Sequence, residues 1–318
     1  MGTTLGNTKA PLFSRKQRGG AFTFIGEDCT TGNVFYVDSG QTATGGTTAN
    51  FGRNPDAPFT TYAAALTNCT DNNGDMIVMM PGHAETTTAI AHSKAGVKVL
   101  GLGYGANRPS ITASAVASDL VDVTGANNMW ENIIFSGAAT NCTSLFSVST
   151  ADNTWKNCTF MHTATPLDLF NITSGMRNKW HGCLFYGAHG DADNAIMFSH
   201  TTPGVCNDFE VIDCIFNYGL LGIDESCITN QSAVPTLLEG GIIYGNVFSG
   251  CVLTAIDFVS SSSATDCRGM IVENRATAYG AITINAIYDT AGYAKINNKA
   301  TDAIDASSPV NMPATTSG

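Results

Sequence analysis

Two short stretches of the chain gather residue types capable of acid–base chemistry. His189-Gly-Asp191-Ala-Asp193 places an imidazole and two carboxylates within one loop, and Asp224-Glu225 adds two further acids on a later one. Glycoside hydrolysis takes two carboxylates held about 5 to 9.5 Å apart, and a lyase reaction takes a cation-binding acidic cluster beside a basic residue. If the chain is an enzyme, His189, Asp191, Asp193, Asp224 and Glu225 are therefore its candidates. The rest of a catalytic set is missing from the sequence. Arg177, Arg268 and Arg275 would be the lyase bases, but no acidic triplet accompanies any of them. No Gly-Xaa-Ser-Xaa-Gly elbow, phosphate loop or EF-hand loop occurs. The 10 cysteines show neither a CxxC pair nor a His-linked spacing, so no metal and no cofactor is expected.

The elements that must carry these loops are legible in a repeat. Trp130, Trp155 and Trp180 are the only tryptophans, 25 residues apart, and each is followed five positions later by Phe135, Phe160 or Phe185. Phe216 in Val211-Ile-Asp-Cys-Ile-Phe216 and Phe248 in Ile243-Tyr-Gly-Asn-Val-Phe248 continue the series. Val99-Leu-Gly-Leu-Gly-Tyr104 reads as an earlier copy and Ile271-Val-Glu-Asn-Arg-Ala276 as a weaker later one. A second apolar run trails each copy, as in Leu145-Phe-Ser-Val148 and Leu169-Phe-Asn-Ile172. Short runs rich in Val, Ile, Phe and Thr, bounded by Gly, Asn, Ser and Asp, are strands, and a fixed period of this size marks stacked repeats. Trp155 and Phe160 have opposite parity yet are both apolar, so a bend must lie between them. Asn132, Asn157, Gly182, Asp213 and Gly245 fill that slot, and all are residues of bends. Stacked turns then align Ile133, Cys158, Cys183, Cys214 and Asn246 in one internal column and the phenylalanines in another. Cys158, Cys183 and Cys214 are expected as buried thiols.

On these residues the sequence resembles the right-handed parallel β-helix proteins of the pectate-lyase-like superfamily. Val34-Phe-Tyr-Val-Asp38, Phe59-Thr-Thr-Tyr62-Ala-Ala-Ala-Leu66 and Gly74-Asp-Met-Ile-Val-Met-Met-Pro-Gly82 look like the usual start of such a solenoid: a strand, a loop, a short capping helix and a first turn. The resemblance implies an all-β fold, a right-handed single-stranded parallel β-helix with a short N-terminal capping helix and extended termini. His189-Gly190 is similar to the Gly-His-Gly element of polygalacturonases. The Asn-Thr-Asp, Asp-Asp and Arg-Ile-Lys elements of that family are absent, and Ala188 precedes the histidine.

Charge divides the chain into an arm and a body. Residues 1–20 carry Lys9, Arg15, Lys16 and Arg18 and no acid, a net +4, whereas the other 298 residues hold 11 basic and 26 acidic groups, a net −15. The reading is a basic, extended N-terminal arm at 1–33, a solenoid at 34–290 whose cap is 34–82, and an extended tail at 291–318. Lys9, Arg15, Lys16 and Arg18, with Phe13, Phe22 and Phe24, are the expected partner-binding residues. Four charges on a strongly acidic chain argue against nucleic acid. No apolar run is long enough to span a membrane, and the N-terminus lacks an apolar signal-type segment, so synthesis in a cytoplasm is expected. The resemblance and the charge pattern together suggest a virion structural protein of a tailed bacteriophage. It would decorate or stabilise the capsid or form a short head fibre, bound to the major capsid protein or another shell protein and assembled as a homotrimer. The alternative is a tail spike that binds or cleaves a host surface glycan.

Overall fold

The computed structural model describes residues 15–16, 22–23, 30, 32–40, 52–114, 118–137, 142–162, 168–187, 194–200, 205–217, 226–230, 238–251, 254–258, 268–278, 287–288, 293–301 and 310–311. A left-handed residue between the Trp and Phe strands bends the wall, and in the central turns a second one, at Asn127, Asp152, Arg177, Asp208 or Gly240, precedes the Trp strand. Asn132, Asn157, Asp213, Glu273 and Asn297 have φ of 60°, 52°, 52°, 56° and 53°, and Gly182 and Gly245 have 62° and 68°. Gly and Asn enter this region at low steric cost. A single such residue interrupts the strict alternation of a strand, so Trp155 and Phe160 both turn inward from strands Thr154–Lys156 and Thr159–His162.

Three parallel sheets result, and the chain is a right-handed parallel β-helix. The Trp sheet has ten strands from Val34–Val37 to Tyr293–Ile296, and the Phe sheet has ten, beginning at Ala84–Thr87. A third sheet of eight strands runs from Ile90–His92 to Ile287–Tyr288, so each turn holds three strands. Register is strict through the middle: Trp130 lies beside Trp155 and Trp155 beside Trp180, while Phe135, Phe160, Phe185, Phe216 and Phe248 follow one another in the next sheet. The single α-helix among the described residues, α1 (Tyr62–Thr67), buries Tyr62, Ala65 and Leu66 at the N-terminal end. Thr61 caps it by accepting from the Ala64 N–H.

Two positions depart from the sequence reading. Tyr104 does not join the Phe column: Ile111 pairs with Phe135 instead, and Tyr104 is 87% exposed. The chain leaves the wall there because Gly103 and Gly105 take φ of 100° and 57°. The resulting excursion returns Arg108 across the bends, where its guanidinium donates to Thr159 Oγ1 and to the carbonyls of Ile133 and Asn157. The solenoid also continues past residue 290. Tyr293–Ile296 and Lys299–Thr301 extend their sheets in parallel, and Val310–Asn311 then pairs antiparallel with Lys299 and Ala300. The overlooked signal is Asn297-Asn298, which repeats the bend pattern of Glu273-Asn274.

The interior is a set of aromatic columns braced by hydrogen bonds. Trp130, Trp155 and Trp180 stack at 5.2 Å between ring centroids, with interplanar angles of 5° and 10°. Phe146 and Phe170 of the third sheet meet them edge-on, at 81° and 77° to Trp155, an arrangement that aromatic quadrupoles favour. Beside the Trp column the slot after the bend is apolar at Ile133 and from Cys158 onward donates back to the preceding turn. Cys158, Cys183 and Cys214 point their thiols at the carbonyls of Trp130, Trp155 and Trp180, while the amides of Asn246, Asn274 and Asn298 donate to Val211, Ile243 and Ile271. A second column, Asn128, Asn153 and Asn178, precedes the Trp strands and bonds turn to turn through its side-chain oxygens. Removing one stacked indole opens a cavity between two others, which costs about 3 to 5 kcal/mol in a buried core. Trp155→Ala is expected to lower unfolding free energy by about that amount and Tyr104→Ala by less than about 0.5 kcal/mol. Guanidinium titrations of the two variants check this, and equal losses would contradict the stacked core.

Candidate functional site

His189, Asp191, Asp193, Asp224 and Glu225 lie outside the described residues, but the strands that flank their loops are placed. Leu184–Gly187 and Asn194–Phe198 bracket residues 188–193, and Ile215–Asn217 and Ser226–Asn230 bracket residues 218–225. The first pair of strands hydrogen-bonds to the second in parallel register. Only those flanking strands, which belong to consecutive turns of the Phe sheet and the third sheet, are placed.

At the third-sheet strands the wall carries a polar column that sequence reasoning missed. Asp168, Asn194 and Ser226 open successive third-sheet strands and are buried. Asn194 Nδ2 donates to Asp168 Oδ1 at 3.0 Å, and Asn194 Oδ1 accepts from the Ser226 N–H at 3.4 Å. One turn earlier, Asp119 accepts from the hydroxyls of Thr143 and Ser144, each at 2.6 Å. A signal existed, since Ser144, Asp168 and Asn194 each precede at least two apolar residues, at spacings of 24 and 26 residues. These bonds run between turns and lock the start of the third-sheet strands.

A second cluster of titratable groups sits under the N-terminal cap. His83 Nδ1 accepts from the Ser39 N–H at 3.0 Å, and His83 Nε2 lies 3.4 Å from Glu85, whose carboxylate also accepts the Tyr62 N–H at 2.7 Å. His83 follows Pro81-Gly82 and reads as a simple turn residue, yet it is fully buried. The Tyr62 hydroxyl joins His92 Nδ1 and accepts from Trp130 Nε1 at 3.0 Å, so the cap is fastened to the top of the Trp column. Burial pushes the Tyr62 hydroxyl up and lowers His92 to about 4, which keeps both neutral near pH 7. Nearby, burial works to raise the Asp75 carboxyl, but donors from Thr70, Asn33 and Asn73 outweigh it and hold it below the usual range. These groups are shielded from any ligand, and what they do is structural.

The cysteines and the outer charges are likewise occupied. Cys158, Cys183 and Cys214 are buried free thiols, and burial pushes Cys158 and Cys183 up, away from the reactive thiolate. Trp130, Trp155, Trp180 and the phenylalanine column face inward, so none offers a sugar-stacking platform. On the outer face of the Trp sheet, Glu131 pairs with Lys98 and Lys156, and Glu210 with Lys179 and His181. Burial alone would raise the Glu210 carboxyl, and the bonds from Lys179 and His181 reverse the sign. No group of three or more His, Cys, Asp or Glu suited to a metal occurs among the described residues. Nor is any described helix long and apolar enough to cross a membrane.

Of the expected arm residues, Arg15, Lys16 and Phe22 lie on described strands. Arg15–Lys16 pairs antiparallel with Phe22–Thr23 in a two-stranded sheet separate from the three solenoid sheets. Lys9, Phe13, Arg18 and Phe24 lie outside the described residues.

The fold is that of the pectate-lyase-like β-helices. The chain superposes on the crystal structure of pectate lyase Pel9A with a TM-score of 0.54 and 14% identity, covering 87% of this chain and 79% of that one. It is also similar to a pectin methylesterase mutant in complex with a hexasaccharide, at TM-score 0.47 and 9% identity over 86% of this chain and 90% of that one. A third similar structure is ORF18 of Geobacillus virus E2, at TM-score 0.43 and 10% identity, covering 76% and 56% of the respective chains. Neither a protein-family model nor a curated protein sequence matches the chain.

The cap makes stability depend on acid. The unfolded His92 takes up a proton below about pH 6.5, whereas the folded one stays neutral down to about 4. Stability is therefore full above the unfolded value and falls as pH drops between the two. At pH 5 the loss from this group is on the order of 2 kcal/mol. Urea midpoints at pH 7 and pH 5 should differ more for the wild type than for His92→Asn, and an unchanged difference would remove His92 from the account.

Proposed function

We propose that this chain is a structural β-helix of a bacteriophage particle, a capsid-decorating or stabilising protein or short head fibre held to the shell by its N-terminal arm. The observation that carries this reading is the separation of arm from body. The arm holds four cations and no acid in its first 20 residues, and its strands Arg15–Lys16 and Phe22–Thr23 pair with each other rather than with the solenoid. A basic segment whose described strands share no sheet with the acidic body would suit an acidic groove on another protein, with Phe13, Phe22 and Phe24 adding apolar contact. The body supports the same reading, since its aromatics, thiols and buried histidines are spent on holding turns together. The partner proposed is the major capsid protein or another shell protein, and the place of action is the particle surface.

A second reading is a tail spike or receptor-binding helix acting on a host surface polysaccharide. The acids of segments 188–193 and 218–225, whose flanking strands hydrogen-bond to each other in consecutive turns, favour it, as does the likeness to a pectate lyase fold.

Binding to shells that lack this chain tests the first reading. Full-length protein should bind, binding should weaken as salt rises because exposed charges are screened, and removal of residues 1–26 should abolish it while circular dichroism stays that of the intact solenoid. Shell binding that survives the deletion would overturn the arm's role. Depolymerisation of bacterial capsule or polygalacturonate by the purified protein, lost in Asp191→Ala or Asp193→Ala, would instead establish the second reading.

A further inference from the structure

The turn between α1 and the strand Met76–Met79 carries chemistry that the fold does not use. Asn73-Gly74 is the only Asn-Gly dipeptide in the chain. Both residues are exposed, and Gly74 takes a φ of 70°. The Asn72 and Asn73 N–H groups are held by the carbonyls of Ala95 and Thr70, whereas the Gly74 N–H makes no hydrogen bond among the described residues. The neighbouring side chain is engaged. Asn73 Nδ2 donates to Asp75 Oδ1 at 2.7 Å, beside the Asn33 N–H at 2.6 Å and Asn33 Nδ2 at 3.1 Å, and the Thr70 N–H donates to the other carboxylate oxygen at 2.7 Å. Asp75 is buried, so these donors tie three places to one carboxylate: the start of the strand Val34–Val37, the end of the capping helix and the turn itself.

We propose that Asn73 is a modification site, whose side-chain amide converts spontaneously to a carboxylate and thereby loosens the join between Asn33 and the solenoid. In the first step the Gly74 nitrogen gives its proton to hydroxide and attacks Asn73 Cγ. The new N–Cγ bond forms, the Cγ–Nδ2 bond breaks, and the nitrogen leaves as ammonia with a proton taken from water. Water then opens the cyclic imide at either carbonyl, leaving an aspartate or a β-linked aspartate. Water is consumed and ammonia released, with no oxidant or reductant. Glycine permits the attack because no Cβ shields its nitrogen and its backbone reaches conformations closed to other residues. An exposed amide outside any hydrogen bond is also free to lose its proton, unlike the amides of the strands.

The structure makes the product consequential. A carboxylate oxygen would stand where Nδ2 now donates, so one of the groups holding Asp75 becomes a second anion in contact with it. Two carboxylates sharing a site each disfavour the other's charge. The β-linked product also adds a methylene to the backbone of a turn pinned by the bonds from Thr70 to Asp75 and from Asn72 to Ala95. Both effects fall on Asn33, through which the N-terminal segment enters the first solenoid strand. The inference requires no particular function of that segment.

Full-length protein held in warm, mildly alkaline buffer should convert at Asn73 ahead of Asn72 and every other asparagine, with aspartate and β-linked products resolved by fragment mass spectrometry. In the converted protein the Asn33 and Thr70 amides should exchange hydrogen at least about tenfold faster, while the Trp155 amide keeps its protection. Asn73→Asp should show the faster exchange without incubation, and Asn73→Gln should resist conversion over the same period. A folded protein whose Asn73 stays an amide while a synthetic peptide of residues 66–78 converts overturns the site. Conversion that leaves the Asn33 and Thr70 amides as protected as before overturns its effect on the join, and that measurement on the wild type holds whether or not either variant folds.

Discussion

Every turn depends on one backbone constraint, the left-handed residue between the Trp and Phe strands. Without it, inward-facing residues would alternate strictly, and Trp155 and Phe160 could not both be buried. With it, the wall turns a corner while its hydrogen bonds continue, since the N–H groups of Asn132, Asn157, Gly182, Asp213, Gly245 and Glu273 each reach a carbonyl of the next turn. The constraint repeats at nearly fixed intervals, so the interior side chains fall into columns. Aromatic stacking follows from that geometry, because identical residues are delivered to the same height in adjacent turns.

The slot after the bend shows two solutions to one problem. In the aromatic middle of the solenoid it is a thiol, which donates weakly to the turn behind it. From Asn246 onward it is an amide, which donates back and also accepts: Asn246 Oδ1 takes the Cys214 N–H, Asn274 Oδ1 the Asn246 N–H, and Asn298 Oδ1 the Asn274 N–H. The change coincides with a thinning of the aromatic columns, where Ile243, Ile271 and Ala276 replace the larger rings. Hydrogen bonds that cross turns take over as dispersion contacts decline. Two buried indole N–H groups, on Trp155 and Trp180, have no acceptor among the described residues. Such a group costs about 1 to 3 kcal/mol, which the stacked and edge-on rings around it offset.

A wall built this way leaves function to what projects from it. The buried His83 and His92, the thiols of Cys158, Cys183 and Cys214 and the carboxylates of Glu85 and Asp168 serve the cap, a column or an inter-turn bond. Variation between turns is concentrated in the loops, where length changes do not disturb the register of neighbouring strands.

The sequence by itself determined the architecture. The spacing of Trp130, Trp155 and Trp180 is a local code repeated turn after turn, and the parity conflict between Trp155 and Phe160 located the bend at Asn157. Cys158, Cys183 and Cys214 shared one interior position for the same reason, that a solenoid's contacts link residues one period apart. Where the period lengthened, the code failed: Tyr104 stood at the expected interval but lies on an excursion, and Asn297-Asn298 marked a further turn without aromatic neighbours. Only the tertiary structure decided which residues meet across unequal turns. His83, Glu85, Tyr62, His92 and Trp130 come together from the cap, the first turn and the third, and Ile212, Tyr244, Val272 and Ile296 form a row although 32, 28 and 24 residues separate them. Those meetings depend on the length of every loop between them, and loop length is constrained by the closure of each turn rather than by local sequence pattern.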